Sequence, residues 1–271
     1  MASRPPGRPP GAAVATTAAV QRRVTLIGLD AIGEVEEGDD IAALLVEALD
    51  SAGEKLQPDD VIVVAQKIVS KSEGRLVRLD DVQPSAEAEA LARDTQKDPR
   101  ILTLLLQESR EILRKREGLV IVEDIRGLVL ANAGIDASNV SRDGGSVLLL
   151  PEDPDESARL LRANLSGLTG EAPAVLIVDS IGRAWRQGTV GTAIGVAGMV
   201  ALADLRGRPD MHGRLLETSE LGIADEVAAA ASLIMGQANE RCPAVLIRGL
   251  DVAGEGQARD LVRPRDRDLF R

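Results

Sequence analysis

Residues 177–198 read IVDSIGRAWRQGTVGTAIGVAG. An apolar run ends abruptly on Asp179 and Ser180. Two arginines follow, Arg183 and Arg186, and then four glycines fall between 188 and 198. The opening AVLIVDS is short and continuously apolar, the pattern of a strand buried on both faces. The AIGVAGMVALAD run further on is apolar but rich in glycine, which leaves strand and helix open.

Outward from this stretch, the same strand pattern recurs in RVTLIGLD (23–30), VIVVAQ (61–66) and PAVLIRGL (243–250). GLVIVED (118–124) and GLVLAN (127–132) read as two strands on a tight link, and SVLLLP (146–151) as another. IAALLVEALDSAG (41–53) has helical spacing, with Asp39 or Asp40 to cap it and Gly53 to stop it. Pro84 to Lys115 is helical in pattern, as two helices parted near Lys97–Pro99. DPDESARLLRANLSGLTG (153–170) opens on Asp-Pro and closes on glycine, a strong helix signature. IADEVAAAASLIMG (223–236) is a helix ending at Gly236. The elements mix without a strict βαβ period and without an internal repeat. The expected class is α/β (α+β), with mixed β-sheets and flanking helices.

At 271 residues, 44% apolar and 28% charged, the chain has enough material for a sizeable core in one large unit or two subdomains. It holds one Trp, one Phe and no Tyr, so Leu, Val, Ile and Ala must build that core, and aromatic base-stacking is nearly excluded. Trp185 reads as packing rather than stacking. A net charge of −11 argues against nucleic acid as a partner. One cysteine, Cys242, excludes an intramolecular disulfide and fits a reducing cytoplasm. A single His212 removes most histidine-rich zinc sites and reads as a surface or structural residue rather than a catalyst. No apolar run is long enough to span a membrane. Residues 1–21, rich in Pro, Gly and Ala, read as a flexible tail, and 22–271 as the folded region. The charged RPRDRDLFR at the C-terminus reads as exposed.

Three places share one design, an apolar strand delivering charged or hydroxyl groups. AQKIVSKSEGR places Lys67, Ser70, Lys71, Glu73 and Arg75 beyond a strand, where lysines and hydroxyls can hold a polyphosphate, although GxxxxGK[ST] is absent. NAGIDASNV (132–140) offers Asn132, Asp136, Ser138 and Asn139, a density of hard oxygens suited to magnesium or manganese or, equally, to a set of Asx turns. Asp179 and Ser180 would add a second carboxylate and a hydroxyl to a shared cation, and Arg183 and Arg186 would neutralise developing negative charge. The stretch 206–225 carries Arg206, Arg208, Asp210, Arg214, Glu217 and Asp225. The loop MGQANERCP (235–243) has the glycine and small polar residues that let a nucleotide approach the backbone.

Taken together and in order, VVAQKIVSKSEGR, NAGIDASNV, LLLPEDPDESA, IVDSIGRAWRQGTVGTAIGVAG, HGRLLE, the ADE…MG helix and RGLDVAGEG resemble the coenzyme F420-0:L-glutamate ligase family. The resemblance runs from about residue 24 to about residue 260. It implies a γ-glutamyl ligase fold of its own, not ATP-grasp, in an intertwined homodimer. It implies a cytoplasmic enzyme of coenzyme F420 biosynthesis that joins L-glutamate to F420-0, a deazaflavin, through an acyl phosphate made with GTP. Addition of further γ-glutamates to F420-1 is left open. Mn2+ or Mg2+ is implied, helped by K+. By motif, Asp136, Asp179 and Ser180 become metal ligands, with Gln237 at the position of a second-metal ligand that is often Glu. Ile32, Gly33, Glu34 and Val35, together with Gln66, Lys67, Lys71 and Asn139, would contact GTP. So would the loop of Met235, Gly236, Gln237, Ala238, Asn239, Glu240, Arg241 and Cys242. Asp136, Asp179, Lys71 and Arg183 are the catalytic candidates. Some fused members carry a C-terminal reductase domain, which is not expected in these 271 residues. Two other readings share the same residues: a metal-dependent nucleotide phosphohydrolase, and a non-catalytic deazaflavin- or nucleotide-binding module.

Overall fold

The computed structural model describes residues 23–137 and 144–270; the expected tail over 1–21 lies outside the described residues. In chain order the main elements are β1 (Thr25–Leu29), α1 (Ile41–Ser51), β2 (Val61–Ala65), α2 (Gln66–Ser72), β3 (Leu76–Arg78), α3 (Ala86–Thr95) and α4 (Pro99–Gln107). Then come β4 (Ser109–Arg116), β5 (Leu119–Asp124), β6 (Val129–Ala131), β7 (Ser146–Leu148), α5 (Pro154–Thr169), β8 (Ala174–Gly182) and β9 (Thr189–Ala197). The last are β10 (Ala203–Asp204), β11 (Glu220–Leu221), α6 (Ile223–Met235) and β12 (Ala244–Arg248).

Five strands form the central sheet in the order β1-β12-β2-β8-β9. All neighbours are antiparallel except β2 and β8, which run parallel with Ala65 opposite Val178. Alternation along β2 sends Ile62 and Val64 to one face and Val61 and Val63 to the other. The first face packs under α1 and α5, through Leu45, Leu49, Leu161 and Leu165. The second packs under α6, through Val227, Ala228 and Ala231. Both faces are covered, so β2 reads as an uninterrupted apolar run.

The Gly-rich stretch is a strand, β9, and its glycines explain why. A Cβ on Gly191 would land on the backbone of α6 at Ala228, and one on Gly195 on the backbone of α5 at Pro154. Two helices press on the strand from opposite sides, and only a residue without a side chain leaves them room. A bulge between the Ile177–Gly195 and Val178–Ala193 pairs leaves Ile194 extra. There the Ala193 N–H donates to Asp225 Oδ1 on the first turn of α6, at 3.0 Å.

The helix ends follow the sequence signals. Asp40 caps α1 by accepting from the N–H groups of Ala42 and Ala43, and Asp153 caps α5 before Pro154. Three expectations are corrected. The helical pattern of 84–115 stops at Gln107, and SREILRKR is β4, paired antiparallel with β5 through two register shifts. Its Arg, Lys and Glu residues are good helix formers, but sheet pairing overrides the propensity, and on an edge strand they discourage further strand addition. The strand expected over VIVVAQ ends at Ala65, and α2 begins at Gln66 directly. Of SVLLLP only Ser146–Leu148 is strand.

Strands β4-β5-β6 form a separate three-stranded sheet. With α3 and α4 it closes a smaller core of Leu91, Leu102, Leu105, Val120 and Val122. Among the described residues no helix is long and apolar enough to cross a membrane.

Candidate active site at the ends of the parallel strands

Because β2 and β8 run parallel and side by side, their carboxyl ends leave the sheet together. The residues just beyond each strand meet at one edge, where open α/β sheets hold their ligands. After β2 come Gln66, Lys67 and, one helical turn on, Lys71; the outer end of β8 carries Asp179 and Ser180. A cleft of about 1160 Å³ opens there. Its walls are residues 30–35, 65–68 with Lys71, Asp136, 178–180, and 235–243.

Asp136 arrives from a different part of the chain. Its backbone bridges Leu148 in both directions, 2.9 and 2.8 Å, which fixes it beside the sheet end. Three left-handed residues in a row, Asn132, Ala133 and Gly134, make the turn that delivers it. Gly134 is needed there for space as well as for φ, since a Cβ would meet the Leu150 side chain at 2.7 Å.

Asp136 Oδ2 pairs with Lys67 Nζ at 2.7 Å. Asp179 accepts the Ser180 N–H at 2.7 Å. Burial pushes the Asp179 carboxyl above its ordinary range; the Asp136 charge raises it further, while the Ser180 N–H and Lys67 oppose the rise. The two aspartates therefore feel each other across the cleft. Ser180 Oγ donates to Gln237 Oε1 at 2.6 Å, tying β8 to the loop after α6. Glu240 accepts the Ala238 N–H at 2.7 Å, which holds its carboxyl below the usual value. Burial raises the Cys242 thiol, so it is a poor nucleophile.

Two carboxylates, a hydroxyl and a carboxamide are all hard oxygen donors, which suits magnesium or manganese rather than zinc. No group of three or more His, Cys, Asp or Glu with metal-ligand geometry occurs among the described residues. Phosphate oxygens or water would have to complete the shell. The donor set fits a divalent cation on those terms.

Most of the expected contacts share this cleft: 32–35, Gln66, Lys67, Lys71, Asp136, Asp179, Ser180 and 235–242. Ile32 and Val35 are buried core residues, so that loop presents Gly33 and Glu34 outward. Gln66 is buried too, accepting from Ser70 Oγ at 2.9 Å. Asn139 and Ser138 lie outside the described residues.

Other candidates stand elsewhere. Arg183 is in the β8–β9 loop, donates to the Gln187 and Gly188 carbonyls, and does not line the cleft; neither does Arg186. Asn132 braces β5 by accepting the Val120 N–H. Arg75 is spent on Glu108 and the Leu150 carbonyl, and Glu73 on Ser157. Arg206, Arg208, Asp210, Arg214 and Glu217 are exposed outside the cleft, with His212 beside them, and Asp225 serves β9. Trp185 is not packed inside: it is 80% exposed. Sequence reasoning passed over Asp30, Thr189 and Ser232, which line the cleft. Asp30 was findable, since RVTLIGLD ends on an acid much as AVLIVDS does. Thr189 and Ser232 carry no local signal.

A family model described as F420-0:Gamma-glutamyl ligase matches residues 31–249. A Coenzyme F420:L-glutamate ligase of Methanothermobacter thermautotrophicus is 46% identical over 251 residues, 92% of this chain and 99% of its own. The protein of that name from Methanocaldococcus jannaschii is 41% identical, covering 93% and 98%. That from Haloarcula marismortui is 38% identical, covering 91% and 95%.

Proposed function

The chain belongs to the F420-0:gamma-glutamyl ligase family, and we propose that it joins L-glutamate to F420-0 in coenzyme F420 biosynthesis, using GTP and a divalent cation. The acceptor is a deazaflavin carrying a phospholactyl-type side chain that ends in a carboxylate. A carboxylate is a poor electrophile, so it must be activated. Its oxygen attacks the γ-phosphorus of GTP, and GDP leaves. The glutamate amine then attacks the acyl carbon, an amide forms, and phosphate departs with loss of the amine proton. No protein nucleophile is needed, in keeping with one His and one half-buried Cys.

The observation that carries this reading is the meeting of Asp136 and Asp179 in one cleft with Lys67 and Lys71. Acceptor, glutamate and nucleotide are all anionic, and their mutual repulsion has to be offset. Lys67 and Lys71, four residues apart on α2, face the cleft together. Asp136, Asp179, Ser180 and Gln237 would hold the divalent cation, which supplies charge neutralisation at the transferring phosphoryl group. The 235–243 loop would take the nucleotide with its backbone and short polar side chains. K+ dependence and a homodimer go with the same proposal.

The test is product mass. Purified protein with GTP, Mn2+, F420-0 and glutamate is expected to add one glutamyl unit, with GDP release that requires F420-0. Phosphate release that ignores F420-0 would identify a phosphohydrolase; ligand binding without any turnover would identify a binding module.

A further inference from the structure

The chain's only two aromatic side chains touch each other on the surface. Trp185 and Phe270 have ring centroids 4.9 Å apart, inclined at 56°. Trp185 is 80% exposed and Phe270 59%. In a protein this poor in aromatics, both would be expected inside, where each contributes most to stability. Arg263 sets its guanidinium over the Phe270 ring, 5.1 Å from the centroid, and so braces the second ring. Trp185 also holds a left-handed backbone, φ 57°, which is unfavourable for a bulky residue and turns it outward at the tip of the β8–β9 loop.

The position of that loop matters. It is rooted on β8 just past Asp179 and Ser180 and returns at Thr189, which lines the cleft. Asp179 to Gly182 is three residues of strand, about 10 Å, and Trp185 stands beyond. Trp185 does not line the cleft itself. A ligand reaching from the acids to Trp185 must be long, with its reacting group at one end and a flat ring at the other. The proposed acceptor has that order: a carboxylate, the phospholactyl-type side chain that bears it, and the deazaflavin.

We propose that Trp185 and Phe270 form a stacking platform for the deazaflavin ring of the acceptor, outside the cleft that holds its reacting carboxylate. This rests on the ligase reading. The platform recognises the ring and leaves the chemistry to the cleft, so its loss acts on acceptor affinity alone.

Trp185 is the single tryptophan, and its emission reports on the platform directly. F420-0 is expected to quench it saturably, and GTP alone to leave it unchanged. W185A is expected to raise KM for F420-0 roughly tenfold, the scale of one lost ring-on-aromatic stack, with kcat and KM for GTP unchanged. W185F should recover most of the affinity, and F270A should share the defect. Both side chains are exposed, so neither variant threatens folding. An unchanged F420-0 KM in W185A, in an enzyme that still ligates, overturns the platform and leaves the ligase reading standing. Quenching by GTP in place of F420-0 assigns the rings to guanine and overturns it too. So does a W185A that alters self-association rather than acceptor affinity. Failure of the wild-type protein to ligate F420-0 removes the reading beneath it.

Discussion

Asp179 is the residue on which most depends. It sits at the end of a buried strand beside a second carboxylate, where the charged form is costly unless a cation shares it. D179N keeps the shape and removes the charge. We expect it to lower kcat on the order of 100-fold or more, measured as glutamyl transfer to F420-0, with the far-UV spectrum unchanged. Gln237 is the other informative position. Its Oε1 accepts from Ser180, a role glutamate can fill while adding a charge. Q237E is expected to bind Mn2+ roughly tenfold tighter, read from free Mn2+ in an equilibrium titration. An unchanged affinity would show that Gln237 contributes no metal ligand. Asp179 was legible as an acid at a strand end, whereas Gln237 was reached only through the family resemblance, in the loop after a helix. Their connection through Ser180 was not legible.

At the scale of elements, β9 is where two helices close on the sheet. G195A would drive a methyl into the α5 backbone, and we expect it to cost about 1–3 kcal/mol, seen in urea unfolding. Asp225 links α6 to the same strand. Burial raises its carboxyl, so the folded state holds the proton more tightly than the unfolded chain does. The cost of its charge is therefore fully present above the raised pKa. It is relieved as pH falls through that value toward the ordinary aspartate pKa of about 3.9. D225N carries no charge and keeps an oxygen for the Ala193 N–H. It should be more stable than the wild type at neutral pH, and the gap should close in acid, followed by thermal melts across pH. A gap independent of pH would mean that charge is not the cause. Glycine spacing hinted at β9, but strand and helix could not be separated until the helices that need those glycines were in place. SREILRKR shows the opposite failure, a helical composition held as an edge strand by β5.

For the whole molecule, the parallel β2–β8 pair sets the architecture. The chain leaves β2, builds α2, the β4-β5-β6 sheet and α5, and only then returns as β8. That excursion brings Asp136 back to the sheet edge, and the 235–243 loop closes the cleft from the far end of the chain. The central sheet is covered on both faces, whereas 199–222 carries only the two-residue strands β10 and β11. Hydrogen exchange should therefore be slowest in β2, β8 and β12 and fastest across 199–222. Comparable protection in the two regions would contradict this ordering.

The buried apolar runs, the helix caps at Asp39 or Asp40 and at Asp153, the acids closing β1 and β8, and the family resemblance were all readable from the chain by itself. The runs, caps and strand-end acids depend on neighbours within a few residues, and the resemblance on the order of motifs along the chain, so both are written directly into the order of side chains. The convergence of Asp136 with Asp179, the pairing of Ser180 with Gln237, the surface meeting of Trp185 with Phe270, and the placing of Arg183 away from the cleft were decided only by tertiary structure. Each joins, or separates, positions through strand pairing and helix packing, and no periodicity along one segment carries that information.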